Sequence, residues 1–167
     1  MAGLDWDPAD VSTTRRDEHY TCARASAEEL DALMLVEQAA HHSPWSRAVF
    51  EREFTIDFSQ VWKVTNDANA IVAFLVFWRV HDELHILNVA VHPDAQRRGL
   101  GAWLIEQLAR VGEAREMTLI TLEVRVSNIP ARTLYARTGF DELGVRPKYY
   151  ADNGEDAVIM TRVLPAA

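Results

Sequence analysis

The sequence contains one cysteine, Cys22, in 167 residues, so no disulfide can form within the chain. No apolar run approaches the roughly 20 residues that a membrane-spanning helix needs. The longest uncharged stretch, Ala68 to Trp78, reads as a buried strand. Met1 to Pro8 lack the basic start and apolar continuation of a secretory signal. These absences lead to the expectation of a cytoplasmic protein. Positive charge is short as well. There are 17 Lys and Arg against 25 Asp and Glu, a net charge of −8, whereas general nucleic-acid binding needs a basic surface to neutralise phosphates. There is no internal repeat and no low-complexity tract.

Several chemistries are missing too. No serine lies in a nucleophile-elbow pattern, and Cys22 is far in sequence from the segments that carry chemistry. His41 and His42 are adjacent, so they cannot share one helical face as paired metal ligands do. His81 and His85 have no cysteine or carboxylate at zinc spacing, and no metal site is expected. Trp6, Trp45, Trp62, Trp78 and Trp103 read as packing residues.

What is present suits one domain with a substantial core: 49% of residues are apolar and 25% charged. Residues 1–19 are polar and without periodicity, and are expected to form a loose extension to a domain over residues 20–167. Tyr20 to Arg24 is a strand candidate. Ser26 and Glu29 have capping-box spacing, and the helix after them sets Leu30, Leu33, Met34 and Glu37 on adjacent turns. Pro44 and Trp45 lie in a break before a short helix capped by Ser46, which runs through Phe54.

Strands are expected over Gln60–Thr65, Ala70–Val80 and Glu83–Val91, joined by turns at Asn66–Asn69 and His81–Asp82. The period then changes. Gly99 to Arg115 is helical, Thr118 to Val124 is a strand, and Asn128 to Thr138 is a helix closed by Gly139. Phe140–Leu143 and Ala157–Val163 are the last strands. This order predicts an α/β (α+β) fold, a mixed and mostly antiparallel sheet of about seven strands flanked by helices.

The segment from Asn88 through Gly101 runs from a strand, through a proline turn, to two glycines and a helix start. Unpaired amides and the positive dipole end at a helix N-terminus suit an anion such as pyrophosphate, and Arg97 and Arg98 would add charge. A structural glycine turn is the plainer alternative. The loop lacks the Gly-Lys-Ser/Thr of a P-loop and the third glycine of a dinucleotide fingerprint. Glu123 is an acid in an otherwise apolar strand. It is either an edge charge paired with Arg125 or another base, or a group whose pKa partial burial raises. Tyr135 suits a core position, and Asn128 suits a helix cap.

Gln96-Arg-Arg-Gly-Leu-Gly101, preceded by Asn88-Val-Ala-Val91, resembles the acetyl-CoA signature of the GNAT acetyltransferase superfamily. Leu122 to Asn128, Leu134-Tyr135, Thr138-Gly-Phe140, Tyr149-Tyr150, Glu155 to Met160 and Pro44-Trp45-Ser46 resemble one branch, the ribosomal-protein-alanine N-acetyltransferases of the RimI family. The resemblance spans about Tyr20 to Val163. It departs at His92, where the family carries an acid, and at the first 19 residues.

The resemblance implies the GNAT fold, with its sheet splayed at the acetyl-CoA site, and direct transfer of acetyl from acetyl-CoA to the N-terminal alanine of a small-subunit ribosomal protein; a lysine or small-molecule amine as acceptor, or a CoA-binding module without catalysis, are the alternatives. It assigns the pantetheine arm to the backbone of Val89, Ala90 and Val91. The pyrophosphate falls to Arg97, Arg98, Gly99, Leu100, Gly101 and Ala102, and Asn128 contacts the cofactor as well as capping its helix. Glu123 becomes the general base and Tyr135 the general acid. Oxyanion stabilisation is expected from a backbone N–H at the splayed strand end, with Val91 the candidate. Tyr149 and Tyr150 are candidates for the wall over an incoming peptide.

Overall fold

The computed structural model describes residues 6–8, 15–16 and 19–166. Eight strands form one sheet: β1 (Arg15–Arg16), β2 (Tyr20–Arg24), β3 (Ser59–Thr65), β4 (Ile71–Val80), β5 (Glu83–Val91), β6 (Leu119–Arg125), β7 (Asp141–Arg146) and β8 (Ala157–Val163). Their order is β1-β2-β3-β4-β5-β6-β8-β7. All neighbours are antiparallel except β5 and β6, which are parallel. The mixed, mostly antiparallel sheet of the sequence reading is therefore the observed one, with the two-residue β1 added at an edge.

Helices cover both faces. The alternation along β4 divides the core: Ala73, Leu75 and Phe77 point to one side, Phe74 and Val76 to the other. The first side packs against α3 (Leu100–Ala114) and α4 (Ile129–Arg137), through Leu104, Ile105, Leu108, Val111 and Tyr135. The second packs against α1 (Leu30–Ala40) and α2 (Arg47–Glu53), through Leu33, Val36 and Phe50. Each large apolar side chain so enclosed contributes about 1.5–3 kcal/mol of transfer free energy. The helix ends follow their sequences: Ser26 and Glu29 complete the capping box, and the Ser46 hydroxyl accepts from the Val49 N–H.

Two features open the sheet where β5 leaves β6. Parallel pairing stops at Ile86 and Leu122, although β5 continues to Val91 and β6 to Arg125. Across β4 the partners step from Phe77–Ile86 to Val76–Asn88, which makes Leu87 the extra residue of a β-bulge. A bulge bends its strand and increases local twist. Here it turns Leu87 into the core beneath α1 and Asn88 toward Glu37 and His41.

Trp6 departs from the expected loose extension. It is 2% exposed and meets Phe77 edge-on. The Arg79 and Arg115 guanidinium carbons lie 5.6 and 4.9 Å from its ring centroid. Its carbonyl accepts the Trp62 indole N–H at 2.8 Å. An aromatic residue in a polar segment finds a site on the sheet that periodicity alone cannot reveal. Apart from Trp6–Pro8, Arg15–Arg16 and His19, the extension lies outside the described residues.

Candidate active site

Beyond Ile86, no strand among the described residues lies beside one edge of β5. The His92 N–H donates to the Val72 carbonyl across β4 at 2.8 Å. Antiparallel ladders alternate, so the backbone groups of Val91 and Val89 point away from β4, into the splay. Gln96 spans the same gap, its side-chain amide donating to the Val91 carbonyl at 3.0 Å. After the turn, Arg97 (φ 64°) and Gly99 (φ 75°) take left-handed backbone. These angles deliver the first amides of α3 to the splay, and Gly99 adopts its angle without the steric cost of a Cβ. A Cβ on Gly101 would stand 3.2 Å from Leu134 Cδ2, so its absence lets α3 approach α4.

The result is a groove of about 380 Å³. Val89, Ala90, Val91, Arg97, Gly99, Leu100, Gly101, Ala102 and Asn128 all line it. Arg98 does not share it. Its guanidinium turns away and donates to the Tyr20 hydroxyl at 2.8 Å, so the charge expected there falls to Arg97 alone. Backbone N–H and C=O groups of Val89 and the N–H of Val91, turned outward along a strand and followed by helix-start amides, fit the amide-bearing arm and pyrophosphate of an acyl-CoA.

A second cavity, of about 270 Å³, opens on the α1 side of the sheet. Glu37, Ser43, Trp45, Asn88, Glu123, Arg125 and Tyr150 contribute to its wall. It meets the groove at five shared residues: His41, Val89, Asn128, Ala131 and Tyr135. Asn128 caps α4 through Oδ1, which accepts from the Ala131 N–H at 3.2 Å. Tyr135 is 8% exposed and packs on Phe140, with ring centroids 5.6 Å apart. Burial pushes its phenol up, with Tyr150 adding to the effect.

Glu123 has a different environment from the one expected. Its side chain is 11% exposed, yet its pKa is lowered rather than raised. A 2.5 Å contact with His85 Nε2 outweighs burial, and Arg146 Nε at 3.6 Å from the other oxygen adds to it. His85 is paired with Thr121, and Glu123, two residues on and just past the last paired position, shares its face of the sheet. The base beside Glu123 is therefore His85 and not Arg125.

Arg125 holds the β7–β8 loop instead. It donates to both Asp152 oxygens, at 3.0 and 2.9 Å, and its guanidinium carbon stands 3.9 Å from the Tyr150 ring centroid. Burial pushes the Tyr150 phenol up to about 12 against the opposing pull of Arg125. Tyr149 meets Tyr150 edge-on but is half exposed and outside the cavity wall. Of the two tyrosines, only Tyr150 encloses this space.

Sequence reasoning passed over Glu37, His41 and Asn88 as site residues. Glu37 is 1% exposed, on the apolar stripe of α1. It accepts from Asn88 Nδ2, and His41 Nε2 lies 3.0 Å from Asn88 Oδ1. An acid at a core-facing helical position was the available signal. Nothing in the sequence joins it to Asn88, because a β-bulge makes that contact.

The splayed sheet, its glycine turn and the two connected cavities define an acetyltransferase of the GNAT type. The model of the acetyltransferase (GNAT) family matches residues 28–140, and the chain belongs to that family. The [ribosomal protein bS18]-alanine N-acetyltransferase of Salmonella typhimurium is 40% identical over 147 residues, which cover 84% of this chain and 95% of that protein. The crystal structure of the ribosomal-protein-S18-alanine N-acetyltransferase from Escherichia coli superposes with a TM-score of 0.80 at 36% identity, over 89% of this chain and 96% of that one. Ard1 from Thermoplasma volcanium superposes with a TM-score of 0.76 at 25% identity, over 87% and 98%. Within the family, this chain stands in the branch of the ribosomal-protein-alanine N-acetyltransferases.

Proposed function

We propose that the protein transfers acetyl from acetyl-CoA to the N-terminal α-amine of a protein, the alanine of ribosomal protein bS18, as the names of its relatives describe for them. The carrying observation is the meeting of the two cavities at Val89, Asn128 and Tyr135. A thioester reaching that point from the groove faces an amine entering from the other side.

In this reading Val89 to Val91 pair with the pantetheine arm, and Arg97 to Ala102 surround the pyrophosphate. Arg98 contributes its backbone N–H there, since its side chain is directed elsewhere. Asn128 uses Oδ1 as a cap, which leaves its Nδ2 to donate to the cofactor. The oxyanion is assigned to the Val89 N–H instead of Val91. Both amides point into the splay, but only Val89 borders both cavities. A preorganised donor of this kind is worth about 10²–10³ in rate.

Glu123 is the anion of the acceptor cavity. Its lowered pKa keeps it ionised, so it draws in the α-ammonium, and it is assigned to pass the ammonium proton on, directly or through water, although the same shift makes it a weaker base. The demand is modest, because an α-amine titrates near 8 against ~10.4 for lysine. Tyr135 stays protonated and donates a hydrogen bond to the departing sulfur. Tyr150, held by Arg125, walls the peptide path, and Tyr149 supports it from outside. Residues 20–166 form the catalytic domain, with Trp6 and β1 joined to its core and sheet, and a ribosomal substrate suits a cytoplasmic enzyme. Among the described residues, no helix is long and apolar enough to cross a membrane.

Mass spectrometry of an alanine-starting peptide, free or N-terminally blocked, tests the proposal. One acetyl group gained only by the free peptide is the expected result. A protein that binds CoA but modifies neither peptide would overturn it, and small-molecule amines would be tried next.

A further inference from the structure

Asn88 stands on the β-bulge with both ends of its amide engaged. Its Nδ2 only donates, and it meets a Glu37 oxygen; the Trp45 N–H donates to the same carboxylate. Its Oδ1 only accepts, so at 3.0 Å it requires the proton of His41 to sit on Nε2. The second Glu37 oxygen, 3.5 Å from the same nitrogen, favours the same tautomer. The lone pair of neutral His41 therefore lies on Nδ1. No described residue makes a hydrogen bond to Nδ1, and the ring, 33% exposed, borders both the groove and the acceptor cavity.

We propose that His41 Nδ1 carries the second proton of the reaction, from the acceptor nitrogen to the thiolate, with Glu37 and Asn88 as positioning residues. The inference rests on the acetyl transfer proposed above. Attack forms the C–N bond and leaves the nitrogen cationic. His41 removes that proton as the C–S bond breaks, and the imidazolium then returns it to the sulfur. Both electron pairs are accounted for, and no further reactant is needed. The first proton, lost before attack, goes by way of Glu123.

Such a carrier meets a need of the site. Tyr135, buried as it is, donates a hydrogen bond but is a poorer proton source than a thiol near 8.5. Once His41 has taken the proton of the acceptor nitrogen, its ring at the junction of the two cavities is placed to hand that proton to the thiolate. The charged and titratable groups around the ring are Glu37 from α1, Glu123 and Arg125 from β6, Tyr135 from α4, Arg97 from the glycine turn and Tyr150 from the β7–β8 loop. Glu37 is the one within salt-bridge range; burial raises its pKa, with His41 and Asn88 opposing that rise, and its contacts fix the ring in place.

Nitrogen-15 NMR of the histidines in the resting protein is expected to show His41 as the Nε2–H tautomer; an Nδ1–H tautomer overturns the inference. In steady-state acetylation of the alanine peptide, His41→Ala is expected to lower kcat about 100-fold, within the range for general acid–base groups. Added imidazole should restore activity to this variant, a rescue that a merely structural role would not allow. Glu37→Gln keeps the shape of the side chain but weakens its hold on Asn88 and the ring, so it should lower kcat less than His41→Ala does, with KM for acetyl-CoA nearly unchanged. An active wild type whose His41→Ala variant keeps its kcat overturns this inference alone. An inactive wild type overturns the acetyl-transfer reading and this step with it.

Discussion

Replacing Tyr135 by phenylalanine separates the packing of this side chain from its chemistry. The ring packs on Phe140 and closes the junction of the two cavities, and phenylalanine keeps both contacts. The hydroxyl has no hydrogen-bond partner among the described residues, so removing it leaves no buried group unsatisfied. Stability should therefore change by less than about 1 kcal/mol, which in a chain of this size is roughly 2–4 °C in Tm. Turnover should respond very differently. The loss of one preorganised donor to a developing charge costs about 10²–10³ in rate, or roughly 3–4 kcal/mol. The effect belongs in kcat, with KM for acetyl-CoA nearly unchanged, because the bond forms as the sulfur departs. Differential scanning calorimetry and initial rates on the alanine peptide measure the two quantities. An acetyl donor with a more acidic leaving group should shrink the kinetic defect. A kcat within about threefold of wild type, or a Tm lowered by 10 °C, would refute the reasoning.

Trp6→Ala should cost about 3–5 kcal/mol, the range for emptying a buried tryptophan site, and urea unfolding will report it; a loss below about 1 kcal/mol contradicts the anchored N-terminus. Glu123→Gln should be less stable than wild type at pH 7, because a depressed carboxylate pKa stabilises the fold above the unfolded value near 4.3. That difference should close as pH falls through the folded-state pKa, and a gap that persists into stronger acid argues against the His85 contact as its source. Arg125→Ala releases Asp152 and the Tyr150 ring, so KM for the peptide should rise about tenfold while KM for acetyl-CoA stays level. Equal rises in both would remove the loop from acceptor binding.

Much of this arrangement follows from local patterns. Glu83–Val91 and Ala157–Val163 have the strand bounds that their sequences indicate. The Ser26–Glu29 box, the Ser46 cap and Asn128 sit where their spacing puts them. The groove was legible because consecutive residues build it: one strand end, one turn and one helix start. The electrostatics were not. Burial alone argued for a raised Glu123 pKa, but the pairing of β5 with β6 brings His85 to the carboxylate, and the shift reverses. Arg98 illustrates the same limit, since its neighbour in sequence lines the groove while its own side chain reaches back to Tyr20. The Glu37–Asn88–His41 contacts depend on one extra residue in β5, and no periodicity reports a bulge.

In the proposed reaction the acyl donor and the α-amine meet where the two cavities join. Calorimetry of a bisubstrate compound, CoA linked through an acetyl bridge to the nitrogen of an alanine-starting peptide, tests this most directly. Occupying both cavities at once should tighten binding about 10²–10⁴-fold over CoA or the peptide alone. A bisubstrate that binds no better than CoA would contradict the account, because the peptide would then not lie in the cavity bordered by Glu123, Val89 and Tyr135.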